Sequence, residues 1–482
     1  MSLTKNILTR FAHLLSAQAV DGILTTGWFL YMAWSDPHVY GTIMYALAGG
    51  MIVTRVVQFG LYYALVGYLS RVDRGEIPGV LHSVNILKLV LLVPAMVVVG
   101  GFALYQALSP DVAWALFFVC LGFGLEVIAD TFFADMRVRG RQDQEARIRM
   151  ISSVASVAYA FLTTATGLGA VIVSLFKLVS AVIRIALVAT NHMRTYSGTP
   201  WRITHWASVW SLFTGASVFA LIQILGLFYN KTNVFFLERV TGVKGVALYS
   251  AAYNLVDPVS ALASEQLLGW VIFPLLAYLW RDKKEDIGPV VHTSARWLLV
   301  IAFPIMLFLA VMGKTIVDII YPPELRACAW MLPYLVWTIV LSFEVNLFAY
   351  VMMVTGAQRI LLAFACVVTA FNLLFNVTLV QSYGLLGGCL VIIFTKLVMT
   401  ALTLIYCQWR FRFFTLLDVV YPALLWVVPA AMYLLLEPHI TSIPALAVTL
   451  AVYGLVVFKT GPTYLGDLPK APPTRERGDP GF

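Results

Sequence analysis

The sequence predicts an all-α polytopic membrane protein with about fourteen transmembrane helices, and three observations support this fold class. The chain has 482 residues, of which 61% are hydrophobic and only 12% are charged, whereas a soluble domain has about a quarter charged residues. The mean hydropathy is +0.87. Apolar runs of about 18 residues or more, long enough to cross the hydrocarbon of a bilayer, recur along the chain. The composition therefore excludes a soluble protein.

The apolar runs place the helices as follows. The predicted spans are 12–34, 41–69, 82–107, 113–136, 149–166, 168–191, 209–230, 246–279, 294–313, 328–354, 360–380, 384–407, 415–436 and 440–458. The eighth span is unusually long and contains Pro258 and Pro274, so we expect a kink or a cytoplasmic extension there. The basic start of the chain precedes an apolar segment too long for a cleaved signal, which indicates an uncleaved first helix.

Positive charge is concentrated on one side of the predicted spans. The segments RVDRG, MRVRGRQDQEARIR, WRDKKED and QWRFR all fall on one side, which the positive-inside rule assigns to the cytoplasm. Both termini are then cytoplasmic, and the Pro-rich tail 460–482 is expected to be disordered. The net charge of +8 is explained by topology and predicts no nucleic-acid partner.

Catalytic and metal-binding patterns are not evident in the sequence. The five cysteines are scattered without CxxC spacing, so we predict neither a metal site nor a disulfide framework. The segments between external helix ends are short, which leaves no room for a soluble catalytic domain. We therefore expect no catalytic residues, no cofactor and no enzymatic activity.

An internal repeat divides the chain into two halves. Tyr68, Arg71 and His82 recur at a constant spacing as Tyr278, Arg281 and His292, and a second block pairs Lys177 with Lys396 in spans six and twelve. The repeat predicts an N-terminal six-helix lobe (1–194), a cytoplasmic linker (195–208), a C-terminal six-helix lobe (209–412) and two extra helices (413–459). Parallel repeats are a recurring transporter design that holds substrate between the halves. Chance similarity between apolar helices is the alternative explanation.

Ionisable residues inside the predicted spans are the candidate functional groups. Each costs roughly 2.5–3.5 kcal/mol at the bilayer centre unless it faces a cavity or a partner. The candidate substrate-binding cations are Arg55, Lys177, Arg184 and Lys396. The candidate ion-coupling or orienting acids are Asp21, Glu126, Asp130, Asp257, Glu265 and Glu344. Lys88 lies within two turns of a cytoplasmic end, so we expect it to snorkel to the surface.

Helical spacing places several of these charges on shared faces. Lys177 and Arg184 are seven residues apart and share a helix face, as do Glu126 and Asp130 at a spacing of four. Like charges on one face are unfavourable by themselves, so they are expected to meet opposite charges or substrate across a cavity. Buried salt bridges, such as Glu126 with Lys177, are the alternative to a substrate path.

Four stretches together resemble one transporter family. They are YNKTNVFFLERVTGVKGVALYSAAYNLVDPVSAL (229–262), FPIMLFLAVMGKTIVDIIYPPE (303–324), VTGAQRI (354–360) and FNLLFNVTLVQSYGLLGG (371–388). The sequence of these stretches is similar to the polysaccharide-exporter (O-antigen flippase) branch of the multidrug/oligosaccharidyl-lipid/polysaccharide superfamily, which includes MATE-like exporters. In that family a Gly-bearing turn, here Gly242–Gly245, follows a polar helix end.

The resemblance implies two six-helix lobes around a central cavity and alternating access. It also implies a lipid-linked (undecaprenyl-diphosphate) oligosaccharide as substrate, a location in the bacterial inner membrane and a role in cell-surface polysaccharide biosynthesis. Membrane lipids and a coupling ion, H⁺ or Na⁺, are the other expected partners. A cation-coupled exporter of multiple drugs or small molecules is the alternative within the superfamily, and a membrane-embedded glycan-modifying enzyme is the alternative outside it.

Overall fold

The computed structural model describes residues 3–197, 206–262, 268, 272–412 and 417–464, and helices make up nearly all of these residues. The α-helices are α1 (Leu3–Ser35), α2 (Pro37–Gln58), α3 (Leu61–Leu69), α4 (Ile77–Tyr105), α5 (Pro110–Val138), α6 (Gln142–Ala165), α7 (Ala170–Ser174), α8 (Phe176–Thr195), α9 (Trp206–Leu262), α10 (Phe273–Asp282), α11 (Ile287–Ile320), α12 (Leu332–Leu335), α13 (Trp337–Val354), α14 (Gln358–Phe375), α15 (Gln381–Phe411), α16 (Leu417–Ile440) and α17 (Ser442–Tyr464). A π-helical turn, Asn376–Val380, joins α14 to α15.

Ten of the described helices are long and apolar enough to cross a membrane. The predicted fold class, an all-α polytopic membrane protein, is therefore confirmed, while the count of fourteen spans stays a prediction. Span seven and the first part of span eight lie in α9, which consists of two helical segments separated by a break at Gly242, where φ is +67°. The Gly-bearing turn at this position is thus present. The kink predicted near Pro274 falls next to residues outside the described ranges.

Two predicted spans are broken within their apolar runs. Span two divides into α2 and α3 at Phe59 and Gly60, which both adopt left-handed backbone conformations with φ of 40° and 66°. Span six divides into α7 and α8 at Leu175. Discontinuous helices are typical of transporter binding sites, because they bring helix ends and side chains into the protein interior.

Contacts divide the chain into two compact units. The first unit comprises Met1–Ser250, Ile320–Leu325 and Asn376–Gly388, and the second comprises Ala251–Ile319, Arg326–Phe375 and Cys389–Phe482. The lobe boundary predicted at 195–208 is a different division based on the repeat, and it stays a prediction. Of that linker, 198–205 lie outside the described residues, as does most of the tail, 465–482.

In the first unit, small residues allow helices to approach closely. A Cβ atom on Gly122 of α5 would lie 2.6 Å from the carbonyl carbon of Lys177 and 2.9 Å from the backbone nitrogen of Leu178, so only glycine fits this contact between α5 and α8. This close approach sets the position of α8 along the axis of α5, with Lys177 opposite Gly122. Elsewhere in the unit, Leu81 of α4 and Phe133 of α5 are fully buried in one apolar cluster.

In the second unit, α16 and α17 pack against α11. Pro304 lies inside α11 and has no backbone N–H, so the carbonyl of Val300, four residues earlier, loses its usual intrahelical donor. The hydroxyl of Tyr453 in α17 donates to this carbonyl at 2.7 Å. Trp426 of α16 stacks on Phe303 with ring centroids 5.8 Å apart. The two C-terminal helices therefore complete the hydrogen bonding of a proline-interrupted helix.

Candidate functional site

The most concentrated group of the predicted site residues lies where α5 meets α8 in the first unit. The Glu126 carboxylate of α5 lies between the two cations of α8: Oε2 is 3.8 Å from Lys177 Nζ, and Oε1 is 3.5 Å from Arg184 Nη2. The spacing of seven residues that predicted a shared face for the cations thus brings both to one acid. The salt bridge between Glu126 and Lys177, the alternative expected from the sequence, is present.

The surroundings of Lys177 compensate its positive charge. Lys177 lies in the first turn of α8, two residues after Leu175. Glu126 compensates for this charge, and the ammonium group also lies over the Phe123 ring, 4.4 Å from its centroid. Gly122, one turn before Glu126, holds the two helices together at this height.

Hydroxyl groups complete the surroundings of the Glu126 carboxylate. Ser180 Oγ donates a hydrogen bond to Glu126 Oε1, and Arg184 Nε donates to Ser152 Oγ of α6 at 3.3 Å. The side chains remain partly accessible, at 22% for Lys177, 12% for Arg184 and 10% for Glu126. With two cations and one carboxylate, the group carries one excess positive charge and can bind an anion.

Asp130 belongs to a second ion network, which involves α5 and α6. Arg149 of α6 contacts Asp130 at 3.1 Å and Glu145 at 3.0 Å. Arg137 binds the Glu145 carboxylate with two hydrogen bonds of 2.7 and 2.8 Å. These bonds are short and bidentate, which is the geometry of a stable structural ion pair. Asp130 is therefore held by Arg149 and is separate from the Lys177 pair.

The ion pairs of Arg149, Glu145 and Arg137 were not predicted, because these residues were interpreted as charges that only set the orientation of the helices in the membrane. The spacing of four between Glu145 and Arg149 was the available signal, since it places both on one helix face. Lys88 was predicted wrongly. Rather than extending to the surface, it is fully buried, and its Nζ donates to Val127 O and to Thr131 Oγ1, both at 2.8 Å. Those two acceptors replace the water that the amine would reach by snorkelling.

Two further predicted residues of the first unit lie at exposed positions. Arg55 is in the last turn of α2, just before the break at Phe59 and Gly60, and it makes no ion pair with any described residue. The C-terminal end of a helix favours a cation. Asp21 of α1 accepts a hydrogen bond from Ser153 Oγ of α6. Among the predicted site residues that the structure describes in this unit, Arg55 is thus a cation without an ion pair and Asp21 is an acid bound by a hydroxyl group.

The second unit holds the remaining predicted residues. Lys396 of α15 is buried, and its Nζ donates to Ser342 Oγ of α13 at 2.6 Å. Glu344, also on α13, is buried, and its Oε1 accepts no hydrogen bond from the described residues. Asp257 is half-buried on α9. Glu265 lies outside the described residues. Lys396 and Lys177, equivalent in the repeat, therefore have different neighbours.

At the C-terminal end of α8, Tyr196 connects this helix to α5. Its hydroxyl donates to Asp135 Oδ1 at 2.9 Å. Burial, together with the negative charge of Asp135, raises the pKa of Tyr196 above its ordinary value. Arg139 also binds Asp135, at 2.7 Å. The described residues contain no group of three or more His, Cys, Asp or Glu side chains that could hold a metal ion.

Comparisons with known proteins identify a family and a fold. A family model described as "Polysaccharide biosynthesis protein" matches residues 35–329. No curated protein matches the chain. Among solved structures, the lipid II flippase MurJ in an inward closed conformation is similar with a TM-score of 0.65 and 12% identity, covering 92% of this chain and 98% of that one.

Two further solved structures share the fold. An inward-facing multidrug resistance MATE family transporter of the MOP superfamily has a TM-score of 0.62 and 13% identity, covering 81% of this chain and 94% of that one. A MOP superfamily transporter from Pyrococcus furiosus has a TM-score of 0.58 and 14% identity, covering 84% of this chain and 95% of that one. The family model thus confirms the predicted resemblance to a polysaccharide-biosynthesis family, and the solved structures show a shared fold.

Proposed function

Since the chain belongs to the family of polysaccharide biosynthesis proteins, we propose that it is a flippase for an undecaprenyl-diphosphate-linked oligosaccharide. It is a membrane transport protein rather than an enzyme, as are the structurally similar flippase and transporters. The proposed reaction moves the lipid-linked glycan from the cytoplasmic to the outer leaflet by alternating access. Such a protein is needed because each unpaired polar group of the sugar or diphosphate costs several kcal/mol in hydrocarbon.

The observation that carries this proposal is the excess positive charge of Lys177 and Arg184 over Glu126 in the first unit. A diphosphate needs cations at membrane depth, and arginine offers bidentate binding while lysine offers a point charge. In the proposal, Lys177 and Arg184 bind the phosphates, with Arg55 and Lys396 as additional cations along the path. The isoprenoid tail stays in lipid.

Acidic side chains are proposed to couple transport to an ion or to orient the cations. The candidates are Asp21, Glu126, Asp130, Asp257, Glu265 and Glu344, and the ion is H⁺ or Na⁺. Of the described members, Glu344 has a buried oxygen without a hydrogen-bond donor, which suits a carboxyl group that carries a proton. The proposed location is the bacterial inner membrane, with both termini in the cytoplasm.

A cation-coupled exporter of small cationic compounds is the second candidate function. The buried Glu344 favours it, because this carboxyl group would attract a cationic compound once it has given up its proton. The two functions make opposite demands on the basic residues. A flippase needs Lys177, whereas an exporter of cations is insensitive to its loss.

The test uses purified protein in proteoliposomes. A labelled undecaprenyl-diphosphate oligosaccharide is incorporated, and its exposure to an impermeant glycan-modifying enzyme is followed in parallel with efflux of a cationic dye. The proposal predicts protein-dependent exposure of the glycan and no dye efflux. Dye efflux without glycan exposure would instead assign the chain to the exporters.

A further inference from the structure

The ion pairs around Glu126 are looser than those of the neighbouring network. Glu126 is 3.8 Å from Lys177 and 3.5 Å from Arg184, whereas Arg137 lies 2.7 Å from Glu145. The Glu126 carboxylate nevertheless faces a different cation with each oxygen. A phosphate group between the same two cations would face them in the same way.

The Glu126 carboxylate and a bound diphosphate would compete for the same two cations, Lys177 and Arg184. With Glu126 ionised, the group has one excess positive charge, and without that carboxylate it has two. Arg184 retains the hydroxyl of Ser152 as a second partner at 3.3 Å, and Lys177 retains the Phe123 ring at 4.4 Å. Both cations therefore remain positioned if Glu126 releases them.

We propose that Glu126 is an internal counter-ion that holds Lys177 and Arg184 in the empty site and that the phosphates of the substrate displace. This inference rests on the proposed function and adds a competing anion to it. Glu126 then lowers the affinity for substrate and keeps the empty site from retaining other anions. Release of the substrate is favoured because Glu126 returns to the two cations.

Competition of this kind links substrate binding to the uptake of a proton by Glu126. A carboxylate that loses both counter-ions in a buried position takes up a proton, because its charged form is poorly solvated there. The charged groups that act on the Glu126 carboxylate from elements packed against α5 are Lys177 and Arg184 from α8 and Arg149 from α6, and Asp130 lies one turn away on α5 itself. Arg149 and Asp130 bind each other, so Lys177 and Arg184 control the charge of Glu126.

The experiment measures affinity for undecaprenyl diphosphate that carries one N-acetylglucosamine, using the full-length protein in lipid nanodiscs. Both phosphates of this probe are diesters, so each keeps one negative charge between about pH 6 and pH 8, and only the protein titrates. Wild type is compared with Glu126→Gln. Asp111→Asn is the matched control, since it removes an exposed carboxylate from the first turn of the same helix, α5.

We expect Glu126→Gln to bind the probe about tenfold more tightly than wild type at pH 8, which corresponds to about 1.4 kcal/mol. Wild-type affinity should rise as the pH falls, by at most about tenfold per pH unit for one proton. The Gln variant should lose this slope, and Asp111→Asn should keep it. A purely structural Glu126 would instead give a Gln variant with lower thermal stability and unchanged or weaker binding.

The wild-type pH slope tests the inference even if Glu126→Gln does not fold. A wild-type affinity that is independent of pH overturns the inference and leaves the proposed function intact, as does equal or weaker binding by a folded Gln variant. Absence of binding to folded wild type and folded Gln variant alike overturns the proposed function, and this inference with it.

Discussion

Gly122→Ala tests how the site is positioned. The added methyl carbon would lie 2.6 Å from the Lys177 carbonyl carbon and 2.7 Å from Lys177 Cβ. Non-bonded carbons prefer about 3.5–4.0 Å, so α8 must move by about 1 Å relative to α5. The backbone atoms of α8 cannot rotate away as a side chain could. Overpacking of this kind costs about 1–3 kcal/mol of the free energy of unfolding.

The shift also moves Lys177 relative to Glu126, whose 3.8 Å separation is already long for an ion pair. We expect Gly122→Ala to lower both the thermal unfolding temperature in detergent and the flipping rate, the latter by about tenfold, or about 1.4 kcal/mol. Gly124→Ala is the matched control on the same helix. Its new methyl group meets only the end of the Leu92 side chain, which can rotate. Equal stability and flipping in both variants would refute the proposed positioning.

Two other substitutions test the packing of the two units. Tyr453→Phe leaves the Val300 carbonyl without a donor and should cost about 1–3 kcal/mol of unfolding free energy in mixed micelles. Pro304→Ala restores an intrahelical donor and should reduce the cost of Tyr453→Phe. An identical cost with Pro304 and with Ala at this position would contradict the role of the Tyr453 hydrogen bond. Because the pKa of Tyr196 is raised in the folded state, its contribution to stability is complete below about pH 10 and is lost at higher pH. Tyr196→Phe, which also loses the hydrogen bond to Asp135, should therefore show a smaller decrease in unfolding temperature above pH 10 than wild type, and an unchanged alkaline decrease would argue against this role.

The helical fold could be predicted because long apolar runs directly indicate helices that cross a membrane. The breaks at Phe59–Gly60 and at Leu175 could not, since they lie within continuous apolar text and depend on packing. Phe59 stacks on Phe213 of α9 with ring centroids 4.4 Å apart, a contact between residues far apart in the chain. Sequence periodicity contains no information about such contacts.

The candidate site was predictable in part for the same reason. Helical spacing placed Lys177 and Arg184 on one face, and the alternative of a salt bridge named Glu126. The spacing could not show that one acid contacts both cations, because this depends on the close approach of α5 and α8 at Gly122. Lys88 was mispredicted because its two acceptors come from another helix.

The most direct test of the central claim is the flipping rate of the lipid-linked oligosaccharide in proteoliposomes containing wild type, Lys177→Gln or Lys177→Arg. Removing a charge-assisted contact of about 1.5–3 kcal/mol should slow flipping by about 10- to 100-fold in the Gln variant, while the Arg variant retains most of the rate. Arg147→Gln removes an exposed cation of α6 outside both ion networks and serves as the charge-matched control with wild-type activity. Equal flipping by Lys177→Gln and Arg147→Gln would contradict a diphosphate site at Lys177.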